Sequence, residues 1–306
     1  MRIHSAAIHY FEAVRRAGSI REAARRLNVA SSAVNRQILK LEDEVGVPLF
    51  ERRAHGVTLT AAGELLARHV ITVLQDLERA RSDILALQGA RVGHVEIAAV
   101  EGVCAGLLPG ALERLRAAAP AITVGVQVMG SAAIPKALAE GTANLGVAFN
   151  LVPPPELREV QRVSFKLGAV MRPDHALAAR EVVTLAQCAA YPLIFAGEDL
   201  SIAGLMRAPL GALGRRLTPA ITASSVDLIG RLAMAGLGIG FQTALGLEQA
   251  IAEGRAAFRP LDAKGPIWSD LSVTVRAGQA QPAPVELFLR LLAEEMEQRS
   301  GAAPGG

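Results

Sequence analysis

Residues 19–60 decide the fold of the N-terminal part of this chain, and they read SIREAARRLNVASSAVNRQILKLEDEVGVPLFERRAHGVTLT. Ser19 and Glu22 have the spacing of a capping box, in which the serine oxygen accepts an amide hydrogen and the glutamate side chain reaches back to the cap amide. A helix is therefore predicted to begin there. Asn28 is predicted to end this helix, because asparagine tolerates the left-handed backbone conformation.

A second helix is predicted to follow, with Ser31 or Ser32 as its cap. Its core face consists of Val34, Ile38, Leu41 and Val45. Its other face carries short hydrogen-bonding groups near the start and basic groups behind them, namely Ser31, Ser32, Asn35, Arg36 and Lys40. This order is typical of a recognition helix, which presents its first residues to base edges in the major groove and its basic residues to phosphates. These five residues are predicted to bind double-stranded DNA.

A basic hairpin is predicted after the second helix. Its tip holds Arg52, Arg53 and His55, which are predicted to contact the DNA backbone or the minor groove. Residues 1–91 contain 14 Lys and Arg against 10 Asp and Glu, while the whole chain has a net charge of +3. An excess of this size does not by itself argue for nucleic acid. Its concentration around the two helices and the hairpin favours DNA binding.

The same segment resembles the LysR-type transcriptional regulators. The matching residues are Ala23, Ala24, Leu27 and Val29, then Ser32-Ala33-Val34, Arg36-Gln37-Ile38 and Leu41-Glu42, then Gly46-Val47 and Leu49-Phe50-Glu51-Arg52, and finally Leu59-Thr60 and Ala62-Gly63. Two positions depart from the family pattern. Ala30 stands where members often have a serine cap, and Asn35 stands where they often have serine. Because asparagine can pair bidentately with adenine, a different operator sequence is expected.

The resemblance implies both a fold and a function. The implied fold class is α/β with an N-terminal all-α winged helix-turn-helix, a long linker helix, and an effector domain of two α/β subdomains similar to periplasmic binding proteins. The implied function is a bacterial, cytoplasmic transcriptional regulator that binds an inverted-repeat operator as a homodimer or homotetramer, responds to a small-molecule effector and contacts RNA polymerase. The predicted domains are 1–60 for DNA binding, 61–90 for the linker helix and 91–298 for effector binding, with a disordered tail at 299–306.

Residues 60–88 predict one long helix with a heptad seam. Apolar residues alternate in steps of four and three at Leu66, Val70, Val73, Leu77, Ala80, Ile84 and Leu87. Such a seam is typical of a coiled coil. A dimerising coiled coil is therefore expected, and packing of the helix on its own domain is the alternative.

From His94 onward short β-rich runs alternate with helical ones, which is typical of a parallel-rich α/β sheet. Strands are predicted at 95–100, 123–129, 145–149, 165–171, 193–195, 221–224, 239–242 and 271–276, and helices are predicted to begin near 103, 132, 184, 202, 225, 243 and 284. This part resembles the family's effector domain through Leu107-Leu108-Pro109, Gly141, Leu145-Gly146-Val147-Ala148, Pro173-Asp174-His175 and Gly236, Gly238, Gly240. By chain order, subdomain I is expected at 92–162 and 268–298, and subdomain II at 163–267.

Ligands of such folds bind at the carboxyl ends of strands, where helix N-termini point their amides. The effector-binding candidates at four such strand ends are Glu101, Gly102, Val103, Ser131, Phe149, Asn150 and Ser224. Further candidates, which are expected to line the opposite subdomain, are Phe195, Ser201, Phe241 and Gln242. Each of them has an ordinary alternative role as a helix cap or as part of the core.

Glu101 stands near a position where relatives that bind carboxylates tend to offer hydroxyl groups. A carboxylate there repels an anion unless a basic side chain answers it, and it favours an ammonium group. Two interpretations follow. Either the effector carries a cationic or hydrogen-bond-donating group, or Glu101 forms an internal ion pair and leaves the cleft to anions.

Other function classes find little support. The six histidines have no metal-ligand spacing and no GxSxG or phosphate-loop motif occurs, so the chain is predicted to be no enzyme and to hold no cofactor or metal. No signal-peptide pattern or membrane-spanning run is found, which argues against a solute-binding protein. Cys104 and Cys188 have no CxxC partner and suit a reducing cytoplasm. A thiol-based redox-sensing regulator without a small ligand is the alternative function.

Overall fold

The computed structural model describes residues 5–53, 56–87, 91–212, 217–278 and 280–301. The chain divides into two compact units, Met1–Ile84 and Leu85–Gly306. Within the described residues, no helix combines the length and the apolar character that crossing a membrane requires.

The first unit is a helical domain with a two-stranded hairpin and a long final helix. Its elements are α1 (Ala6–Ala17), α2 (Ile20–Leu27), α3 (Ser31–Val45), β1 (Phe50–Arg53), β2 (Gly56–Leu59) and α4 (Ala61–Leu87). The core contains the fully buried side chains of Phe11, Val14, Val34 and Leu49. The predicted order of helix, turn, helix and hairpin is confirmed.

The helix ends confirm some sequence predictions and correct others. Ser19 Oγ accepts a hydrogen bond from the amide of Glu22 at 3.4 Å, and Asn28 adopts the left-handed conformation at φ 55°. The glutamate does not complete the capping box, because its carboxylate bonds instead to Arg25 and Arg26.

The cap of α3 is Ala30, which has an extended backbone and no side-chain hydrogen bond. The prediction that Ser31 or Ser32 caps this helix is therefore wrong. The chain turns helical already at Ser31, so both serines lie in the first turn. Their hydroxyl groups are exposed there.

The second unit is an α/β fold. It begins with β3 (Gly93–Ala99), α5 (Glu101–Gly106), α6 (Leu108–Ala118), β4 (Ile122–Val128), a 3-10 turn (Ser131–Ala133), α7 (Ile134–Ala139), β5 (Leu145–Phe149) and β6 (Leu157–Met171). It continues with β7 (Val183–Thr184), α8 (Leu185–Cys188), β8 (Leu193–Ala196), α9 (Ser201–Ala212), β9 (Ile221–Ala223), α10 (Val226–Met234) and β10 (Ile239–Thr243). It ends with α11 (Glu248–Ala252), β11 (Ala257–Asp262), β12 (Trp268–Arg276) and α12 (Ala283–Gly301).

One long strand joins the two halves of this unit. The sheet order is β4-β3-β5-β12-β6-β10-β8-β9, with β11 pairing to β6 and β7. Residues 157–166 of β6 pair with β12, whereas residues 167–171 pair with β10 and β11. We call the half containing β3, β4, β5, β12 and α12 subdomain I, and the half containing β8, β9, β10 and β11 subdomain II. The expected border at 162/163 falls inside β6, just before its pairing changes.

Several elements differ from the sequence predictions. The strands β7 and β11 and the helix α6 were not predicted, and no helix begins at Thr243, which is instead the last residue of β10. The predicted disordered tail is wrong for residues 299–301, since α12 runs to Gly301. Within this last part of the helix, Arg299 donates hydrogen bonds to Glu295 at 2.9 Å and to Glu248 at 3.0 Å. The rest of the predicted tail, 302–306, lies outside the described residues.

Candidate DNA interface and ligand cavity

The outer face of α3 presents most of its predicted contact residues to solvent. Ser31, Ser32, Arg36 and Lys40 are exposed. Lys40 lies 3.7 Å from the carboxylate of Glu44, which is too long for a strong ion pair on an exposed helix. Arg36 has no hydrogen bond or ion pair with any described residue, so its guanidinium is available to a phosphate or a base.

The hairpin brings a second basic group to this face. Arg52 Nη2 donates to Asn35 Oδ1 at 3.0 Å, so two residues that were predicted to contact DNA independently form a pair. Arg53 is held within the hairpin by Glu51 at 2.5 Å and by Thr58 Oγ1 at 3.4 Å. His55, the remaining predicted contact in the hairpin, lies outside the described residues.

The position of the hairpin follows from a close approach to α1. The amide of Val57 donates to the carbonyl oxygen of Gly18 at 2.8 Å, just after the end of α1. A Cβ at Gly56 would overlap that same oxygen, and its φ of 146° also excludes most side chains. Glycine is therefore required where the second hairpin strand begins.

The basic residues of α2 are partly neutralised by their own helix. Glu22 bonds Arg25 at 2.8 Å and Arg26 at 2.8 Å. These hydrogen bonds, with that of Arg25 first, lower the pKa of Glu22 from 4.5 to about 2. The free positive charge on α2, beside the predicted DNA-binding face, is therefore smaller than the arginine count indicates.

The predicted seam of α4 divides into two parts. Val70 is 1% exposed and packs, together with half-buried Leu66, into the core of the first unit. Val73 and Leu77 are half-buried, whereas Ala80 and Ile84 are exposed, Ile84 to 50%. The alternative of packing on its own domain therefore applies to the first part of the seam. The later part leaves apolar surface that a partner helix can cover.

A cavity of about 280 Å³ lies between subdomains I and II. Its lining comprises Val100, Glu101, Gly102, Val128, Met129, Gly130, Ser131, Phe149, Asp199, Leu200, Ser201, Ile202, Ser224, Val226, Thr243, Leu245 and Ser269. The carboxyl ends of the parallel strands β3, β4, β5, β8 and β9, with the helices that follow, supply much of this surface. Six of the eleven effector-binding candidates line the cavity: Glu101, Gly102, Ser131, Phe149, Ser201 and Ser224.

The other five candidates are elsewhere. Val103 is fully buried under the sheet, and Phe241 and Gln242 are each 2% exposed inside subdomain II. Phe195 packs against Phe241, with ring centroids 6.2 Å apart. Asn150 has its amide engaged by Ser269 and by the backbone of Asp270.

Three lining residues with polar side chains were not predicted from the sequence, namely Asp199, Thr243 and Ser269, and neither was Val226, whose amide binds Glu101. Asp199 lies three residues beyond β8, so the strand-end rule points to it once the strand is located. Thr243 was missed because β10 runs one residue further than predicted. Ser269 comes from the start of β12, an amino end that the strand-end rule does not reach.

Glu101 links the two subdomains. Its Oε1 accepts a hydrogen bond from Ser225 Oγ at 2.9 Å, and its Oε2 accepts one from the amide of Val226 at 2.6 Å. Of the two interpretations of Glu101, the internal ion pair is therefore wrong within the described part of the chain. The carboxylate of α5 in subdomain I instead binds the start of α10 in subdomain II, where the helix dipole favours negative charge.

The helix α5 packs tightly against Leu245 and Gly246. A Cβ at Gly106 would lie 2.6 Å from the amide nitrogen of Gly246 and 2.8 Å from Leu245 Cγ.

Burial and the nearby Glu101 carboxylate raise the pKa of the Cys104 thiol. Burial raises the pKa of Cys188 to about 12. Both thiols are consequently poor sources of thiolate at neutral pH.

Comparisons with known proteins match both units. The family described as the LysR substrate binding domain matches residues 88–297, and the bacterial regulatory helix-turn-helix protein of the lysR family matches residues 5–64. A probable nitrogen assimilation transcriptional activator of Synechococcus elongatus is 25% identical over 282 residues, which is 91% of each chain.

Solved structures share the fold over almost the whole chain. A full-length OxyR from Pseudomonas aeruginosa has a TM-score of 0.72 at 20% identity and covers 94% of this chain and 96% of its own. CbnR in complex with its target DNA has a TM-score of 0.55 at 23% identity and covers 95% and 98%. The two family matches together span nearly all of this sequence. The chain therefore belongs to the LysR family and is a DNA-binding LysR-type transcriptional regulator.

Proposed function

We propose that this regulator controls its promoters in response to a small molecule bound in the cavity between subdomains I and II. The main support for this proposal is the cavity itself. Residues at the strand ends of both subdomains line it. A ligand placed there contacts both halves at once. It therefore shifts the equilibrium between states of subdomain closure whenever it binds one state better than another.

DNA is read, in this proposal, by α3 in the major groove of each half of an inverted repeat. The exposed serines at the start of α3 and Arg36, which has no partner among the described residues, support this assignment. The exposed later seam of α4 supports a homodimer. A homotetramer, contact with RNA polymerase and a place in the bacterial cytoplasm are further parts of the proposal that rest on the family alone.

The thiol-based alternative finds less support in the structure. A redox-sensing cysteine works through its thiolate, which requires a low pKa and access to the oxidant. The pKa values of Cys104 and Cys188 are instead both raised, and Cys188 is buried. We therefore assign control of this regulator to ligand binding.

A cavity-filling variant tests the proposal. Gly102 lines the cavity, and no atom outside the neighbouring backbone lies within 4 Å of a Cβ built on it. Gly102→Trp is therefore expected to fill cavity space with its ring and to leave the fold intact. We expect a promoter reporter that no longer responds to growth conditions that change the wild-type output, with operator binding retained in mobility-shift assays. Gly204→Trp, on exposed α9 surface, is the control. A Gly102→Trp reporter that follows the wild type would contradict effector control through this cavity.

The DNA-binding half is tested separately through salt dependence. Arg36→Ala is expected to reduce the slope of binding against salt by about one, because one phosphate contact is lost, if Arg36 contacts the backbone. If it reads a base instead, the loss is confined to one operator position. Arg290→Ala removes the same charge from an exposed site on α12 and serves as the control.

A further inference from the structure

The start of α10 is the position in the cavity wall best suited to an anion, and the chain fills it with its own carboxylate. A helix N-terminus combines free amides with a partial positive charge, which is why anions bind there. The amide of Val226 and the hydroxyl of Ser225 already donate to Glu101 at 2.6 and 2.9 Å. The amide of Leu228 donates to Ser225 Oγ at 3.1 Å. These donors are therefore not free for a carboxylate ligand.

The charge of the lining also disfavours anions. Glu101 and Asp199 are the charged side chains among the lining residues described, and no Lys, Arg or His is found with them. A cleft lined by charge of one sign attracts ligands of the opposite sign. The cavity is accordingly a poor site for an anion and a suitable one for a cation.

Asp199 is placed to receive a positive group. It is exposed and has no hydrogen bond or ion pair within the described part of the chain. Its Oδ1 and the hydroxyl of Ser224 both lie against Gly197, where a Cβ would be 2.6 and 2.7 Å from them. On the side of subdomain I, a Cβ at Gly130 would lie 3.6 Å from the carbonyl oxygen of Asp199. The carboxylate and carbonyl oxygens of Asp199 and the hydroxyl oxygen of Ser224 thus belong to one region of the cavity wall.

This set of acceptors suits an ammonium group, which has three hydrogen-bond donors and no acceptor. The rest of the wall is largely apolar, with Met129, Phe149 and Leu245 among its side chains. A cavity of about 150 Å³ admits benzene, so one of about 280 Å³ accommodates a ring with a short side chain.

We propose that the cavity binds a small amine with an apolar body, held by Asp199, because Glu101 already occupies the anion position at the start of α10. This inference rests on the proposed function, since it names the ligand class of the same cavity. It reverses one part of the expectation drawn from the sequence: Glu101 excludes anions, and Asp199 is the residue that receives the cation.

Three probes of similar size test the ligand class on the full-length protein by calorimetric titration: 3-phenylpropylamine, 3-phenylpropanol and 3-phenylpropionate. We expect the amine to bind most tightly. Asp199→Asn is expected to weaken the amine about fivefold, as for a partly exposed charge pair. Glu198→Gln removes a neighbouring charge that lies outside the cavity lining and is the control.

Equal or tighter binding of the alcohol or the propionate would overturn the assignment of the ligand as an amine. It would leave ligand control through the cavity intact. Absence of binding by all three probes also overturns the class. An effect of Asp199→Asn no larger than that of Glu198→Gln overturns the role of Asp199. The proposed function is tested separately, because it fails if the Gly102→Trp reporter responds like the wild type.

A rescue experiment tests the filled anion position. Removing the tethered carboxylate with Glu101→Ala frees the donors of α10, so acetate is expected to raise the melting temperature of this variant more than that of the wild type or of the control Glu113→Ala. An equal effect of acetate on all three proteins overturns the proposal.

Glu101→Gln is the second variant, to be used if Glu101→Ala does not fold. It keeps the shape of the side chain and removes its charge. It is expected to narrow the preference for the amine over the propionate about fivefold. An unchanged preference would overturn the role given to Glu101.

Discussion

Arg52 Nη2 donates a hydrogen bond to Asn35 Oδ1 at 3.0 Å, which connects the hairpin to the outer face of α3, the face predicted to bind DNA. Asn35 reads adenine only when its oxygen accepts and its amide nitrogen donates in one plane. The bond from Arg52 engages the oxygen of this amide, so it restricts the orientations that the amide can adopt. The two side chains should therefore act on DNA as a unit.

We predict that Arg52→Ala lowers base preference as well as affinity. Asn35→Ala is expected to cost about 1 to 3 kcal/mol at one operator position, and the double variant is expected to cost less than the sum of the single variants. Fluorescence anisotropy with the operator and with single-base variants measures these energies. Strict additivity, with Arg52→Ala weakening all sequences alike, would show that the hydrogen bond has no part in recognition.

The seam of α4 predicts different outcomes for its two parts. Ile84→Glu places a charge on exposed apolar surface, so it should leave the fold intact and shift the full-length protein to smaller species in sedimentation velocity. Val70→Glu buries an unpaired charge in the domain core and should unfold it. Leu65→Glu, at a 63% exposed site off the seam, is the control. An unchanged sedimentation coefficient for Ile84→Glu would remove this part of α4 from the dimer contact.

The sequence predicted those parts of the molecule that depend on local patterns. The cap at Ser19 and the left-handed Asn28 were found because each follows from spacing along the chain. The six cavity residues were found because the resemblance to the family's effector domain implies where strand ends and subdomains face a ligand. Contacts between distant segments were not found in this way. Neither the pairing of Asn35 with Arg52 nor that of Glu101 with Val226 has a local signal, since 17 and 125 positions separate the partners.

The helix α5 offers a matched pair of glycines for a stability test. Gly106→Ala should destabilise the second unit by about 1 to 3 kcal/mol, because its Cβ would lie 2.6 Å from the Gly246 amide nitrogen. The Cβ of Gly102→Ala meets no atom within 4 Å. This substitution should raise the free energy of unfolding by up to about 1 kcal/mol, because alanine has the higher helix propensity. Urea unfolding measures both free energies. Equal effects of the two substitutions would mean that α5 does not pack tightly on subdomain II.

The thiol of Cys104 reports on the charge of Glu101. Because burial and this carboxylate raise the thiol pKa above its ordinary value of 9.0, the thiolate fraction at a given pH is smaller than for a free cysteine. Alkylation by iodoacetamide should therefore be slow at pH 7 and still accelerate above pH 9. Glu101→Gln removes the repulsion, lowers the pKa and should speed the reaction at pH 8, whereas Cys188 should stay unreactive in both proteins because its pKa is about 12. Mass spectrometry of the alkylated peptides separates the two sites. Rapid alkylation of Cys104 in the wild type at pH 7 would contradict the raised pKa and would favour the thiol-based mode of control over ligand binding.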